Sequence, residues 1–159
     1  MLKLSREEYL KNLPRKIVGA GVLFFDAQGR VLLVKPNYRD GWLIPGGTTD
    51  ANEAPRVACI REVKEEIGLV IEAPELITVG YTIHKEDPAG DGLIFIFYGG
   101  VLNEAMIQSI VLQKEELDEY RFVSQSEALA MVTRSLQKSL PTAFQAAKEK
   151  TLQYIEIFQ

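Results

Sequence analysis

Cysteine occurs once in the chain, so no disulfide can close within it. That fits a reducing compartment, and the cytoplasm is the expected setting. Long apolar runs are missing as well. None approaches the ~20 residues that a membrane-crossing helix needs. The opening Met1-Leu-Lys-Leu-Ser-Arg-Glu-Glu8 lacks the apolar centre of a secretory signal. Basic residues form no tract and the net charge is −4, which disfavours a nucleic-acid duplex as partner. Two nucleotide motifs are also missing. There is no Walker A sequence, and Gly19-Ala-Gly21-Val-Leu-Phe24 lacks the third glycine of a dinucleotide fingerprint and lies in a strand.

What remains is the composition of an ordinary globular domain. The chain has 159 residues, 47% of them hydrophobic, enough to bury one full core, and one domain over 1–159 is expected. Ser5-Arg-Glu-Glu8 reads as a capping box opening a short helix within residues 1–14 and ending near Pro14. Ile17 to Phe25 and Arg30 to Lys35, joined by Asp26-Ala-Gln-Gly29, read as a hairpin. Trp42-Leu-Ile44 reads as a short strand running into Pro45-Gly46-Gly47. Further strands are expected over Leu76–Lys85, Leu93–Leu102, with a bulge at Gly99-Gly100, and Tyr120–Val123. A second capping box, Ser124-Gln-Ser-Glu127, opens a helix to about Val132, and a C-terminal helix is expected over 141–158. Strands interleaved with helices predict an α/β fold with a mixed β-sheet and helices on its faces. On the last helix Phe144, Ala147, Ile155 and Phe158 form an apolar stripe that would pack on the sheet or on a second subunit, which leaves room for a homodimer.

The informative stretch is Gly47 to Leu69. Pro55 suits a first helical position and Gly68 suits the left-handed position just past a helix end. Between them Val57, Ile60, Val63 and Ile67 recur at spacings of three and four and are expected to share the buried face. Glu62, Glu65 and Glu66 then cluster roughly opposite. Such a cluster repels itself, and it lies toward the helix end where the macrodipole disfavours negative charge. Hard divalent cations such as Mg²⁺ or Mn²⁺ require clustered carboxylate oxygens of this kind. A solvated acidic face is the plainer alternative for the three glutamates taken alone.

The whole string fits Gly-x5-Glu-x7-Arg-Glu-φ-x-Glu-Glu-x-Gly-φ, φ being apolar, at every fixed position. It strongly resembles the signature of the Nudix (MutT-like) hydrolase family. The resemblance implies an α/β/α sandwich and hydrolysis of a pyrophosphate bond assisted by Mg²⁺, with Mn²⁺ as a substitute. The substrate would be a small nucleotide-type compound, either a nucleoside diphosphate linked to another moiety or a nucleoside triphosphate. By position, Glu65 and Glu66 match principal metal ligands and Glu62 a third that can act on the attacking water. The carbonyl of Gly47 matches a further ligand, Arg61 an arginine that orients a glutamate, and Glu53 a mainly structural acid. Several members take the general base from a loop outside the motif. Glu115 and Glu116 are the candidates here, Glu116 preferred, with Glu62 as the alternative.

Tyr38 and Trp42 could stack on a base, and Lys35 and Arg39 could contact phosphate. Each could equally be an ordinary core or surface residue. His84 is expected to be a strand residue or a substrate contact. Cys59, on the acidic helix, is a poor nucleophile. That argues against the isomerase branch of the same fold, which needs a catalytic cysteine elsewhere. Ser135-Leu-Gln-Lys138 mimics Ser-x-x-Lys without its companion motifs. A Nudix-fold domain that binds ligand without turnover is the competing reading, disfavoured because every constrained position is present. The motif does not name the substrate, because selectivity lies in loops and strands outside it.

Overall fold

The computed structural model describes residues 5–83 and 90–158. His84 and Lys85, the end of the expected strand, and Glu86 to Ala89 lie outside the described residues. Helix α1 (Arg6–Lys11) opens with the expected capping box at Ser5 and Glu8, and it buries no residue. Strands β1 (Ile17–Phe25), β2 (Val31–Pro36), β3 (Gly46–Thr48), β4 (Glu75–Ile83), β5 (Gly92–Val101), β6 (Leu117–Val123) and β7 (Gln153–Phe158) form one mixed sheet. Its order is β6-β2-β1-β5-β4-β7, with β3 also paired to β1. Helix α2 (Pro55–Ile67) covers one face. Helices α4 (Gln125–Met131) and α5 (Arg134–Glu149) cover the other. Helix α3 (Glu104–Gln108) bridges β5 and β6. This is an α/β/α sandwich.

Two apolar clusters fill the layers. Val22, Phe24, Leu32, Val34, Phe97 and the α2 residues Cys59, Val63 and Ile67 pack on one side of the sheet. Leu23, Leu33, Trp42, Ile96, Leu140 and Phe144 pack on the other. Alternation along β1 and β2 therefore feeds both layers, which is why these strands read as continuous apolar runs.

The expected hairpin is present only at its tip. Asp26 Oδ1 accepts from the N–H groups of Gln28 and Arg30, and Gly29 takes a φ of 75°. Beyond Phe25 opposite Val31 the two strands part. Residues 42–48 fill the gap. Leu43 exchanges both backbone hydrogen bonds with Val34, at 2.8 and 2.9 Å, and Val22 N–H donates to Pro45 O at 2.8 Å. Trp42-Leu-Ile44 therefore makes single bridges instead of a strand of its own, and the strand β3 begins at Gly46.

Two further expectations are corrected. The C-terminal helix does not run over 141–158. It starts at Arg134, carries Pro141 in its interior and stops at Lys150, which takes a left-handed φ of 54°. Gln153 to Phe158 is the strand β7, parallel to β4. Ile155 and Phe158 therefore belong to that strand and not to a helical stripe. On α2, Val57 is exposed and the buried face comprises Ala58, Cys59, Val63, Ile67 and Glu66. The glutamates do not all lie on a solvated side. The bulge falls where the glycine pair predicts it, between Tyr98 and Gly100 opposite Leu23 and Phe24. A Cβ on Gly99 would sit 2.2 Å from the Phe24 ring.

Candidate metal and hydrolytic site

The two ends of α2 are set by local chemistry. Pro55 occupies the first turn, and Gly68 closes the helix at a φ of 72°, its N–H donating to Lys64 O. This fixes the rotation of Arg61, Glu62, Glu65 and Glu66 against the sheet.

Glu66 is the unusual member. Only 4% of its surface is exposed. Its Oε2 accepts from Gly46 N–H at 2.7 Å. Burial, together with Glu62, Glu116 and Glu65, pushes its carboxyl up from 4.5 to about 8 against the opposing hydrogen bond from Gly46 N–H. Glu62 is raised in the same sense, first by burial. Close approach requires glycine at 46 and ties position 47 to the pose of Glu62. A Cβ on Gly47 would stand 2.4 Å from Glu62 Oε1. One on Gly46, whose φ is 145°, would stand 2.2 Å from Ala20 O.

Arg61 holds the rest of the cluster. Its Nε and Nη2 donate to the two oxygens of Glu53, each at 2.9 Å. Its Nη1 donates to Glu62 Oε1 at 2.8 Å and to Glu65 Oε2 at 3.0 Å. A planar fork can serve three carboxylates in this way, and an ammonium cannot. Glu53 is drawn down to about 2 by this contact and by the Asp50 N–H. Glu53 also closes its own loop through that bond, at 2.9 Å.

Glu116 comes to the same place from far along the chain. Asn37 N–H donates to Glu116 O at 2.9 Å and Asn37 Nδ2 to Glu115 O at 3.0 Å, while Gln113 N–H donates to Glu66 O. The field of Glu116 reaches both Glu62 and Glu66. The phenol of Tyr38 is raised by burial and then by Glu66 and Glu116, so it faces the cluster although the residue is 64% exposed. Asn37 and Gln113 went unnoticed in the sequence. Asn37 meets Glu115 across 78 positions, and no local pattern marks such a contact.

Arg39 lines a cleft of about 220 Å³ with Gly19, Gly21, Gly46, Gly47, Thr133 and Ser135. Lys35 is half-buried on β2, opposite Glu119. Trp42 does not offer an open ring. It is 8% exposed within the core, and Arg121 lies 5.1 Å over its centroid. Cys59 is fully buried and its thiol is pushed up to about 11 by burial, which leaves it inert.

Among the described residues no three acidic, histidine or cysteine side chains converge as a ready cage for an ion. Arg61 draws Glu53, Glu62 and Glu65 toward itself. The fit to a cation rests instead on the donor set: a buried carboxylate, crowded by three others, beside a backbone that only glycine could bring so close. Hard divalent ions suit such oxygen donors.

The sheet, the glycine loop and the acidic helix define a Nudix-type hydrolase fold. The NUDIX domain family model matches residues 15–143, and the chain belongs to that family. Nudix hydrolases generally use divalent metal ions. The chain is 37% identical over 57 residues to an RNA pyrophosphohydrolase of Hahella chejuensis, covering 36% of this chain and 35% of that protein. It thus spans about a third of that relative's length. An RNA pyrophosphohydrolase of Campylobacter jejuni subsp. doylei is 29% identical over 136 residues, covering 80% of this chain and 85% of the relative. The NUDIX domain of Shewanella oneidensis NrtR, solved in complex with ADP ribose, superposes with a TM-score of 0.66 at 18% identity, covering 92% and 99% of the two chains. No helix among the described residues is long and apolar enough to cross a membrane.

Proposed function

We propose that this chain is a cytoplasmic Mg²⁺-dependent pyrophosphohydrolase, able to use Mn²⁺. It would act on a nucleoside diphosphate linked to another moiety or on a nucleoside triphosphate. The observation that carries this reading is Glu66, a buried carboxylate facing the like charges of Glu62, Glu65 and Glu116, directly behind the Gly46-Gly47 loop. Glu62, Glu65, Glu66 and the Gly47 carbonyl would hold the metal. When bound, it would neutralise phosphate charge and lower the pKa of water.

The chain's own residues supply the rest. Glu116 serves as general base, taking a proton from the attacking water, and the clamps to Asn37 and Glu66 O keep its loop over the cluster. Glu62 is the alternative base. Arg61 orients Glu62 and Glu65 and keeps Glu53 in its loop. Arg39 in the cleft beside Gly46 and Gly47 would pair with phosphate, and Tyr38, facing the acidic cluster, would stack on a base. Lys35 would add charge from β2. The ADP-ribose complex of a neighbour with this fold supports a nucleotide-type ligand, and the RNA pyrophosphohydrolase relatives add RNA carrying a pyrophosphate bond to the candidates.

The test is a screen with Mg²⁺ and then Mn²⁺. Its substrates are ADP-ribose, nucleotide sugars, dinucleoside polyphosphates, nucleoside triphosphates and 5′-triphosphorylated RNA. Products are identified by mass spectrometry. Turnover that Glu66→Gln abolishes supports the reading. Binding without turnover, or turnover equal in wild type and Glu66→Gln, overturns it.

A further inference from the structure

The two edges of the sheet are built differently. Strand β6 carries Asp118, Glu119 and Arg121 within seven residues, and charges of this kind keep an edge from pairing with another chain. Strand β7 carries one charge in six, Glu156, which accepts from the Tyr154 hydroxyl at 3.1 Å. It has no proline, and its register with β4 is unbroken from Gln153 to Phe158. Among the described residues no element lies beyond it. Every second residue of β7 turns its N–H and C=O away from β4, without a strand to receive them.

The face beside this edge is also open. Helix α2 lies across β1 and β3 and reaches only the near side of β5. On that face, register places Val79 beside Phe95 and Tyr154, Tyr81 beside Leu93 and Glu156, and Ile83 beside Phe158. Leu152, Tyr154 and Phe158 are 60%, 59% and 61% exposed. Helix α5 packs on β4 and β7 from the opposite face only.

We propose that a second copy of this chain covers this edge, pairing β7 with β7 antiparallel about a two-fold axis. The sheet would then run on across both chains. An edge of this kind is complementary to itself, since an antiparallel copy presents acceptors where this one presents donors. The cations beside the strip are engaged, Lys16 with Asp91 above the Tyr81 ring and Lys138 Nζ with Phe158 O, which disfavours a nucleic acid or an anionic surface as the occupant. Its single carboxylate per chain leaves little repulsion unless Glu156 sits on the axis, so the axis lies off that residue. The three exposed side chains supply on the order of 300–400 Å² per chain. A stable dimer uses roughly 800 Å² per partner. The half-buried Val79 and Leu93, the Tyr81 ring with Lys16 above it, and the paired backbone extend the patch toward that size.

Sedimentation velocity from micromolar to hundred-micromolar protein is expected to show a dimer. Tyr154→Glu with Phe158→Glu is expected to sediment as a monomer with unchanged circular dichroism. Single cysteines at positions 152, 154 and 158 give a second readout that does not depend on that variant's folding. Under mild oxidation at least one should form a disulfide-linked dimer, whereas Asp118→Cys on the other edge should not. Cys59 is buried and does not compete. A wild type that stays monomeric overturns the proposal. So does a dimer that persists in the glutamate variant, or one that crosslinks through position 118 and not through 152–158.

Discussion

Replacing Glu66 by glutamine should make the metal-free protein more stable at alkaline pH. The Glu66 carboxyl titrates at about 8 in the folded chain against 4.5 as its ordinary value. Between those limits the unfolded chain has released its proton and the folded chain has kept it. Stability therefore falls as pH rises through that window, is fully present below 4.5, and reaches its floor above about 8. At about 1.4 kcal/mol per pH unit, the ceiling is about 5 kcal/mol. Glu62 beside it is raised in the same sense and the two are coupled, so the working figure is about 2–3 kcal/mol. Glutamine keeps an oxygen for Gly46 N–H and never ionises. For a chain of this size the gain corresponds to a melting point higher by about 5–10 °C. The assay is thermal unfolding in EDTA across a pH series. The two proteins should differ at pH ~9 and converge near pH ~4.5. Mg²⁺ should then raise the wild-type melting point and leave the variant's unchanged, since only the ion-binding form gains by linkage. A glutamine variant equal to or less stable than wild type in alkali would refute the account of Glu66 as a buried, uncompensated charge.

Other changes test the neighbouring parts. Arg61→Lys should lower kcat by roughly 10²-fold, because an ammonium cannot hold Glu53, Glu62 and Glu65 together; steady-state kinetics with the best substrate of the screen decides it. Gly47→Ala should reduce kcat at least ~10-fold with little loss of fold, since the new methyl displaces the Glu62 carboxylate; a normal melting curve with normal turnover would contradict that. Glu116→Gln should cost about 10²–10⁴-fold in turnover and remove one limb of the pH–rate profile, while Glu115→Gln stays near wild type.

Much of this was legible because local chemistry fixed it. Pro55 and Gly68 bracket α2 without help from elsewhere, and the capping boxes at Ser5 and Ser124 start their helices as read. The bulge at Gly99 could be read for the same reason. The C-terminal misreading has a physical cause. Pro141 is a natural first helical residue, yet here it stands mid-helix, and the stop is a lysine in a conformation usually left to glycine or asparagine. The alternation of Gln153 to Phe158 was then absorbed into a helical period. The misplaced face of α2 is a tertiary effect. Glu66 is buried because Gly46 N–H donates to its carboxylate there, and Val57 is exposed because the sheet lies elsewhere. Trp42 was ambiguous because a ring that can stack on a base can also fill a core. Glu116 joins the cluster through contacts no window of sequence contains.

The hold of Arg61 on Glu53, Glu62 and Glu65 bears on how the molecule comes into being. With a resident guanidinium already quieting the acidic helix, the chain can reach its native shape without waiting for an inorganic ion. Newly made protein would then be loaded after assembly, and starvation for magnesium should idle it without unfolding it.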